Sequence, residues 1–215
     1  NHFKGVSDEV GAANMIFPAI IDRNAEGFIT CYKKADVLFS RLYEAQDQFK
    51  EWVVLGSLDL DVYVEEQLTQ LPDWEKNFKA LKVRGRDAEK LPNQIKIDCI
   101  TVNTTPVKSV IDDHIQRLFD ALLNSLRKSI TTEVNTIDSF LKEAMETLSK
   151  RPQSVEEIGE ANSKHAEFMK TKRDVKPLFE KAEAKNKLLR SVAGGGVDSL
   201  NQLQAFWDKF ELMME

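Results

Sequence analysis

His2, His114 and His165 are the three histidines of the chain. A zinc or iron centre draws its His, Cys or carboxylate ligands from short, recurring spacings, and none of the three has such a partner, so no metal site is expected. Asp112, Asp113 and His114 are consecutive and carry the groups of an acid–base site. Neighbours in a helix do not face one another, however, so they cannot converge on one substrate atom. Acids in the first turns after Pro106 are already accounted for by the positive end of a helix dipole. Gly194, Gly195 and Gly196 form the one glycine cluster. A phosphate-cradling loop would follow a strand and be completed by Lys-Ser or Lys-Thr; neither holds, and a flexible helix-to-helix turn is expected instead. Asp59-Leu60-Asp61 lacks the other ligands and the glycine of a calcium loop and reads as a helix start. Asn103-Thr104-Thr105 has the form of a glycosylation acceptor, but with no secretory segment legible it reads as a chance match.

Charge offers one further candidate. Residues 164–190 hold nine Lys or Arg against four acids. Such a run is ordinarily a solvated helix face; its functional reading is a docking stripe for an acidic partner, carried by Lys164, Lys172, Arg173 and Lys176. Cys31 and Cys99 lie far apart and form no disulfide framework, so they are expected as partly buried thiols in a reducing compartment. Trp52, Trp74 and Trp207 sit on apolar stripes and are expected in the core.

The elements that must position these residues are helical. The chain has 215 residues, 42% hydrophobic and 30% charged, with 30 Lys and Arg against 35 Asp and Glu, a net charge of -5 and a pI near 5.4. That balance gives no electrostatic footprint for nucleic acid, and no apolar run approaches the ~18 residues of a membrane span. Short helices are expected in the first 25 or so residues. Apolar positions then recur at three and four from Ile29 to Leu55, predicting one helix that ends at Gly56-Ser57. A second runs from Asp59 to Leu81, broken or kinked by Pro72. From Ile95 to Val102 the period becomes two, which predicts one short strand or an extended connector whose partner lies elsewhere, even outside these residues.

The longest element starts at Thr105-Pro106, as N-cap and first helical position, and continues to Arg151. Its apolar track advances 37 positions from Ile111 to Leu148 in ten steps, about 3.7 per turn. A left-handed coiled coil would hold 3.5, so bundle packing is expected. Pro152 stops this helix, and Ser154 with Glu157 forms a capping box that opens the next, which runs to about Arg190 with Pro177 inside it. Asp198 caps a last helix that reaches Glu215 unfinished, as in a piece of a longer polypeptide. The fold class is therefore all-α: elongated helical bundles with one very long helix. The expected domains are an N-terminal bundle over 1–91, the extended connector or short strand over 92–105, and a long-helix bundle over 106–215.

Specific strings go further. Trp74-Glu75-Lys76-Asn77-Phe78-Lys79-Ala80-Leu81-Lys82, Pro106-Val107-Lys108, Ile111-Asp112-Asp113 and Leu118-Phe119-Asp120 resemble the stem, or tail, of dynein heavy chains. So do Arg151-Pro152-Gln153-Ser154-Val155-Glu156-Glu157-Ile158-Gly159, Lys187 to Gly196 and Trp207 to Glu215. The resemblance covers residues 30 to 215, and Trp52-Val53-Val54-Leu55-Gly56 makes it most similar to the cytoplasmic dynein 2 branch of retrograde intraflagellar transport. It implies a chain of helical bundles that binds dynein intermediate chains and a light intermediate chain. The parent heavy chain would be a homodimer in the cytoplasm, cytoskeleton and cilium. It also implies that the ATPase ring and the microtubule contact lie outside these residues, so no enzyme activity, cofactor, nucleic acid or direct membrane contact is expected here. The other architecture considered is a helical rod of a membrane-tethering or cytoskeletal adaptor complex. An all-α enzyme would need convergent ionisable groups, and none is legible.

Overall fold

The computed structural model describes the backbone of residues 10–214 and the side chains from Phe17 onward. Among these, eight helices and one hairpin follow in order: α1 Val10–Arg23, α2 Ala25–Asp47, α3 Lys50–Gly56, α4 Leu60–Gln67, α5 Leu71–Lys90, β1 Gln94–Ile97, β2 Ile100–Asn103, α6 Thr105–Ser149, α7 Val155–Ala193 and α8 Ser199–Met214. The chain divides into two compact units, residues up to 57 with 91–109, and 58–90 with 110–215. The division differs from the expected one because the α4–α5 segment packs with the long helices, closing a bundle across the sequence.

In the first unit the helix expected over 29–55 is two helices. Phe49, with φ -104 and ψ 0, donates its N–H to Gln46, one residue short of the helical acceptor, and buries its ring. Neither glycine nor proline marks the interruption, so the apolar period runs straight through it. The expected lone strand is corrected to a hairpin: β1 and β2 pair antiparallel, Ile95 opposite Val102 and Ile97 opposite Ile100, across a turn at Asp98 and Cys99. Asp98 has φ 52, a left-handed conformation that Asp tolerates better than most residues. The turn exchanges the phase of the alternation, so odd positions in β1 and even positions in β2 share one face. The strand thus finds a pairing partner within the chain, along one edge of each strand. Thr104, buried, donates its hydroxyl to Pro92 O, and Asn103 Oδ1 accepts the Thr105 N–H at 3.1 Å. The hairpin is thereby fastened to the start of α6.

In the second unit, α6 supplies the central row. Leu118, Leu122, Leu126, Ile130, Val134, Ile137 and Leu141 are buried along the expected track. α5 adds Trp74, Phe78 and Leu81, and α8 adds Leu200, Leu203, Trp207 and Phe210 at steps of three and four. α7 contributes Phe168, Val175, Ala182 and Leu189, one every seven residues, and remains one helix past Pro177. Phe140 stands edge-on to Phe168 and Phe210, with ring centroids 6.2 and 5.3 Å away. Trp74 and Trp207 are core residues as expected, whereas Trp52 is only half-buried.

Helix ends follow local chemistry. Asp59 caps α4 by accepting from the Asp61 and Val62 N–H groups, which bears out the helix-start reading, and Pro72 is the second residue of α5. At the Pro152 corner, Ser154 Oγ accepts the Glu157 N–H at 3.2 Å, and Glu157 reaches back to the Gln153 N–H at 2.6 Å. The capping box thus closes one residue earlier than the usual reciprocal pair.

Candidate functional site

The strongest convergence of polar side chains lies inside the second unit. Ser129 and Glu133 are one turn apart on α6 and so share a face. Lys185 of α7 donates to Glu133 Oε1 at 2.6 Å and to Ser129 Oγ at 2.8 Å, and its Nζ stands 5.4 Å from the centre of the Trp74 ring on α5. The ammonium has three N–H donors: two meet oxygens and the aromatic face provides a further cation–π contact. The side chains of Lys185 and Glu133 are only 8% and 15% exposed. Glu133 Oε2 and Trp74 Nε1 are buried without a hydrogen-bond partner among the described residues. This cluster joins three helices by charge and has the character of a packing determinant: a buried pair strongly penalises any arrangement that separates it.

A second polar tie holds the glycine turn. Gly194 has φ 74 and donates to Arg190 O, the left-handed cap that glycine favours. Asn186, buried, accepts the Val197 N–H at 2.8 Å and donates to Val197 O at 3.3 Å. A Cβ at Gly196 would lie 2.6 Å from Asn186 Oδ1 and 2.7 Å from Arg190 Nε. The turn read as flexible is therefore pinned at both ends, and its last glycine is required by close approach.

The structure places the four residues of the basic stretch differently from one another. Lys164, Arg173 and Lys176 are exposed. Lys172 is partly buried and pairs with Glu211 of α8 at 3.0 Å. The Lys172 hydrogen bond, with help from Trp207 and the nearby Lys176 charge, holds the Glu211 carboxyl below the ordinary glutamate range. Two of the four thus act on α8. Lys164 and Arg173, nine residues apart, lie about half a turn from one another around α7. Lys185, counted among the solvated cations in the sequence, is in the core. The available signal was its place in the buried row, between Ala182 and Leu189.

The other candidates stay apart. Asp112 and Asp113 are exposed, His114 is half-buried, His165 Nε2 lies 3.3 Å from Met214 O, and His2 is outside the described residues. Among the described residues no group of three or more His, Cys, Asp or Glu could hold a metal ion, and no helix is long and apolar enough to cross a membrane. Cys31 and Cys99 are both exposed, which corrects the expectation of partly buried thiols. Cys99 is in the hairpin turn, where its side chain has no core to enter.

No family model matches the chain. Its whole length is 62% identical to the cytoplasmic dynein 2 heavy chain 1 of Tripneustes gratilla and 52% identical to that of Homo sapiens. The protein of the same name from Chlamydomonas reinhardtii is 38% identical over 96% of the chain. The chain spans about 5% of the length of these curated relatives. Together with the all-α architecture, this similarity from end to end shows that the chain belongs to the dynein heavy chain family, as a stretch of a tail most similar to cytoplasmic dynein 2.

Proposed function

We propose that this segment is a structural scaffold within a dynein-2-like heavy-chain tail. In that role it binds accessory chains, the intermediate chains and the light intermediate chain, and couples a dimerised tail to a microtubule motor in retrograde intraflagellar transport. The observation that carries the reading is the match along the whole chain to proteins named as cytoplasmic dynein 2 heavy chains. The exposed aromatic row of α2 supports it. Phe28, Tyr32, Phe39 and Tyr43 are all exposed and fall within about 60° of one another around the helix. An apolar surface of that extent belongs to a protein that docks others. On this reading the segment performs no catalysis and needs no cofactor. ATP hydrolysis and microtubule contact reside elsewhere in the heavy chain, and the protein works in the cytoplasm, on the cytoskeleton and in the cilium.

The test is size-exclusion chromatography with light scattering on the chain, alone and mixed with the intermediate-chain β-propeller domains and the light intermediate chain. Co-elution at a defined mass is expected. A monomer that binds neither leaves the segment a spacer and overturns the accessory-chain part of the proposal.

A further inference from the structure

An apolar hollow of about 640 Å³ opens where α5, α6 and α7 meet. Phe78 and Leu81 of α5, Ile115 and Phe119 of α6, and Leu188 and Val192 of α7 line it. Phe78 meets Phe119 edge-on at 5.8 Å, while Ile115, Phe119, Leu188 and Val192 are only half-buried. The bundle therefore leaves this patch of its core open to solvent.

Two independent features say what covers it. The first is charge. Between Lys76 and Arg86, α5 carries five cations and no acid. Lys79 and Lys82 line the hollow, and Arg86, one turn beyond Lys82, falls with them on one strip about 60° wide around α5. All three are exposed, and none has an ion-pair partner among the described residues. Glu75 is the one acid on that strip. The second is Gly85, which lines the hollow in the interior of α5. A Cβ there would meet nothing within 4 Å. Glycine is among the least favourable residues for a helix interior, and the chain's own packing does not require it. A glycine in that position lets a second backbone come close to α5.

We infer that the hollow is the docking groove for an amphipathic, acidic helix of another polypeptide. Its apolar residues, spaced three and four apart, would enter between Phe78, Phe119 and Leu188. Its carboxylates would face Lys79, Lys82 and Arg86. A helix is the fitting occupant because the walls are helices with no free strand edge. An extended peptide would find no backbone partner there, whereas a helix satisfies its own N–H and C=O groups. The inference goes beyond the scaffold reading: it names the chemistry of a partner and its seat, whether or not the accessory chains proposed above supply it.

The experiment uses the full-length heavy chain in its native complex, with photoreactive p-benzoylphenylalanine in place of Ser191, an exposed residue on the α7 wall. After irradiation, cross-linked peptides are identified by mass spectrometry. The expected adduct is to a different protein, through a segment with more Asp and Glu than Lys and Arg and apolar residues at helical spacing. Its yield should fall roughly ten-fold in the K79E/K82E/R86E variant and partly in K79Q/K82Q/R86Q, since paired opposite charges across an interface govern its formation. The melting temperature of both variants should stay that of the parent. The inference is overturned by no adduct, by an adduct within the same heavy chain, a second copy of it or a lipid, by a basic segment, or by a yield indifferent to the charge reversal. Because the readout is the groove itself, its failure is distinct from failure of the accessory chains to co-elute.

Discussion

Lys185 of α7 and Glu133 of α6 meet at 2.6 Å inside the bundle, with the ring of Trp74 from α5 over the ammonium. One ion pair thereby fixes the mutual position of three helices. Apolar rows alone tolerate sliding by a turn far better than a buried charge tolerates losing its partner.

The pair should be more costly to break than to replace. Lys185→Ala leaves Glu133 buried and unpaired and is expected to destabilise by about 3–5 kcal/mol. Lys185→Met combined with Glu133→Leu should recover most of that loss. Urea denaturation of the three proteins measures it, and a double variant as unstable as the single one would refute the account.

Gly196 should not accept a side chain. Gly196→Ala puts a methyl group 2.6 Å from Asn186 Oδ1 and should cost about 1–3 kcal/mol. Asn186→Ala leaves the buried contacts of Val197 unmet and should cost a similar ~1–3 kcal/mol. Because the two act on one contact, the double variant should lose less than their sum. Thermal melts of the set decide whether they are coupled.

Phe210 is fully buried and stands 5.3 Å from Phe140 and 6.0 Å from Trp207. Phe210→Ala should cost about 3–5 kcal/mol, the usual range for a large cavity in a core. Phe206, one turn before it on α8 and exposed, should tolerate alanine within about 0.5 kcal/mol. Parallel calorimetry on both variants checks the contrast.

Acid should release the tie between α7 and α8. The Glu211 carboxyl is held below its ordinary range by Lys172, so its contribution to stability is present above the ordinary glutamate value and is lost as pH falls through the lower folded value. Both side chains are partly exposed, which limits the effect to under about 1 kcal/mol. The melting temperature of Glu211→Gln should trail the parent at pH 7 and converge with it below about pH 4. A gap that persists in acid would show that packing, not charge, separates the two.

Asp98 should be replaceable by glycine but not by a β-branched residue. Its φ of 52 is open to glycine and strained for valine by about 1–2 kcal/mol. Asp98→Val should lower the melting temperature and Asp98→Gly should not.

How far the sequence could be read depended on whether a feature was local. The α6 stripe and the caps at Asp59 and Ser154 were legible because each rests on contacts within a turn or two of the chain. The hairpin was half legible. The period of two was plain, but the change of phase between Ile97 and Ile100, which distinguishes two short strands from one, passed for a single alternation. The interruption at Phe49 had no glycine or proline to announce it, and the burial of that ring is not a property of the local sequence. The basic stretch of α7 misled in part, because composition counts Lys185 and Lys172 with Lys164, while burial and the partners Glu133 and Glu211 set them apart.

By itself, the sequence determined that the chain is helical, that its longest helix packs as part of a bundle, and that it resembles a dynein heavy-chain tail, because periodicity, capping and long strings of residues are properties of the chain as written. Only the tertiary structure decided that α4 and α5 pack with α6–α8, that Lys185 meets Glu133, that Gly196 is pressed against Asn186, and that Phe78 and Phe119 border an open groove beneath a cationic lip. Such relationships reach as far along the chain as from Trp74 to Lys185, where local propensity has no reach and packing alone selects the neighbour.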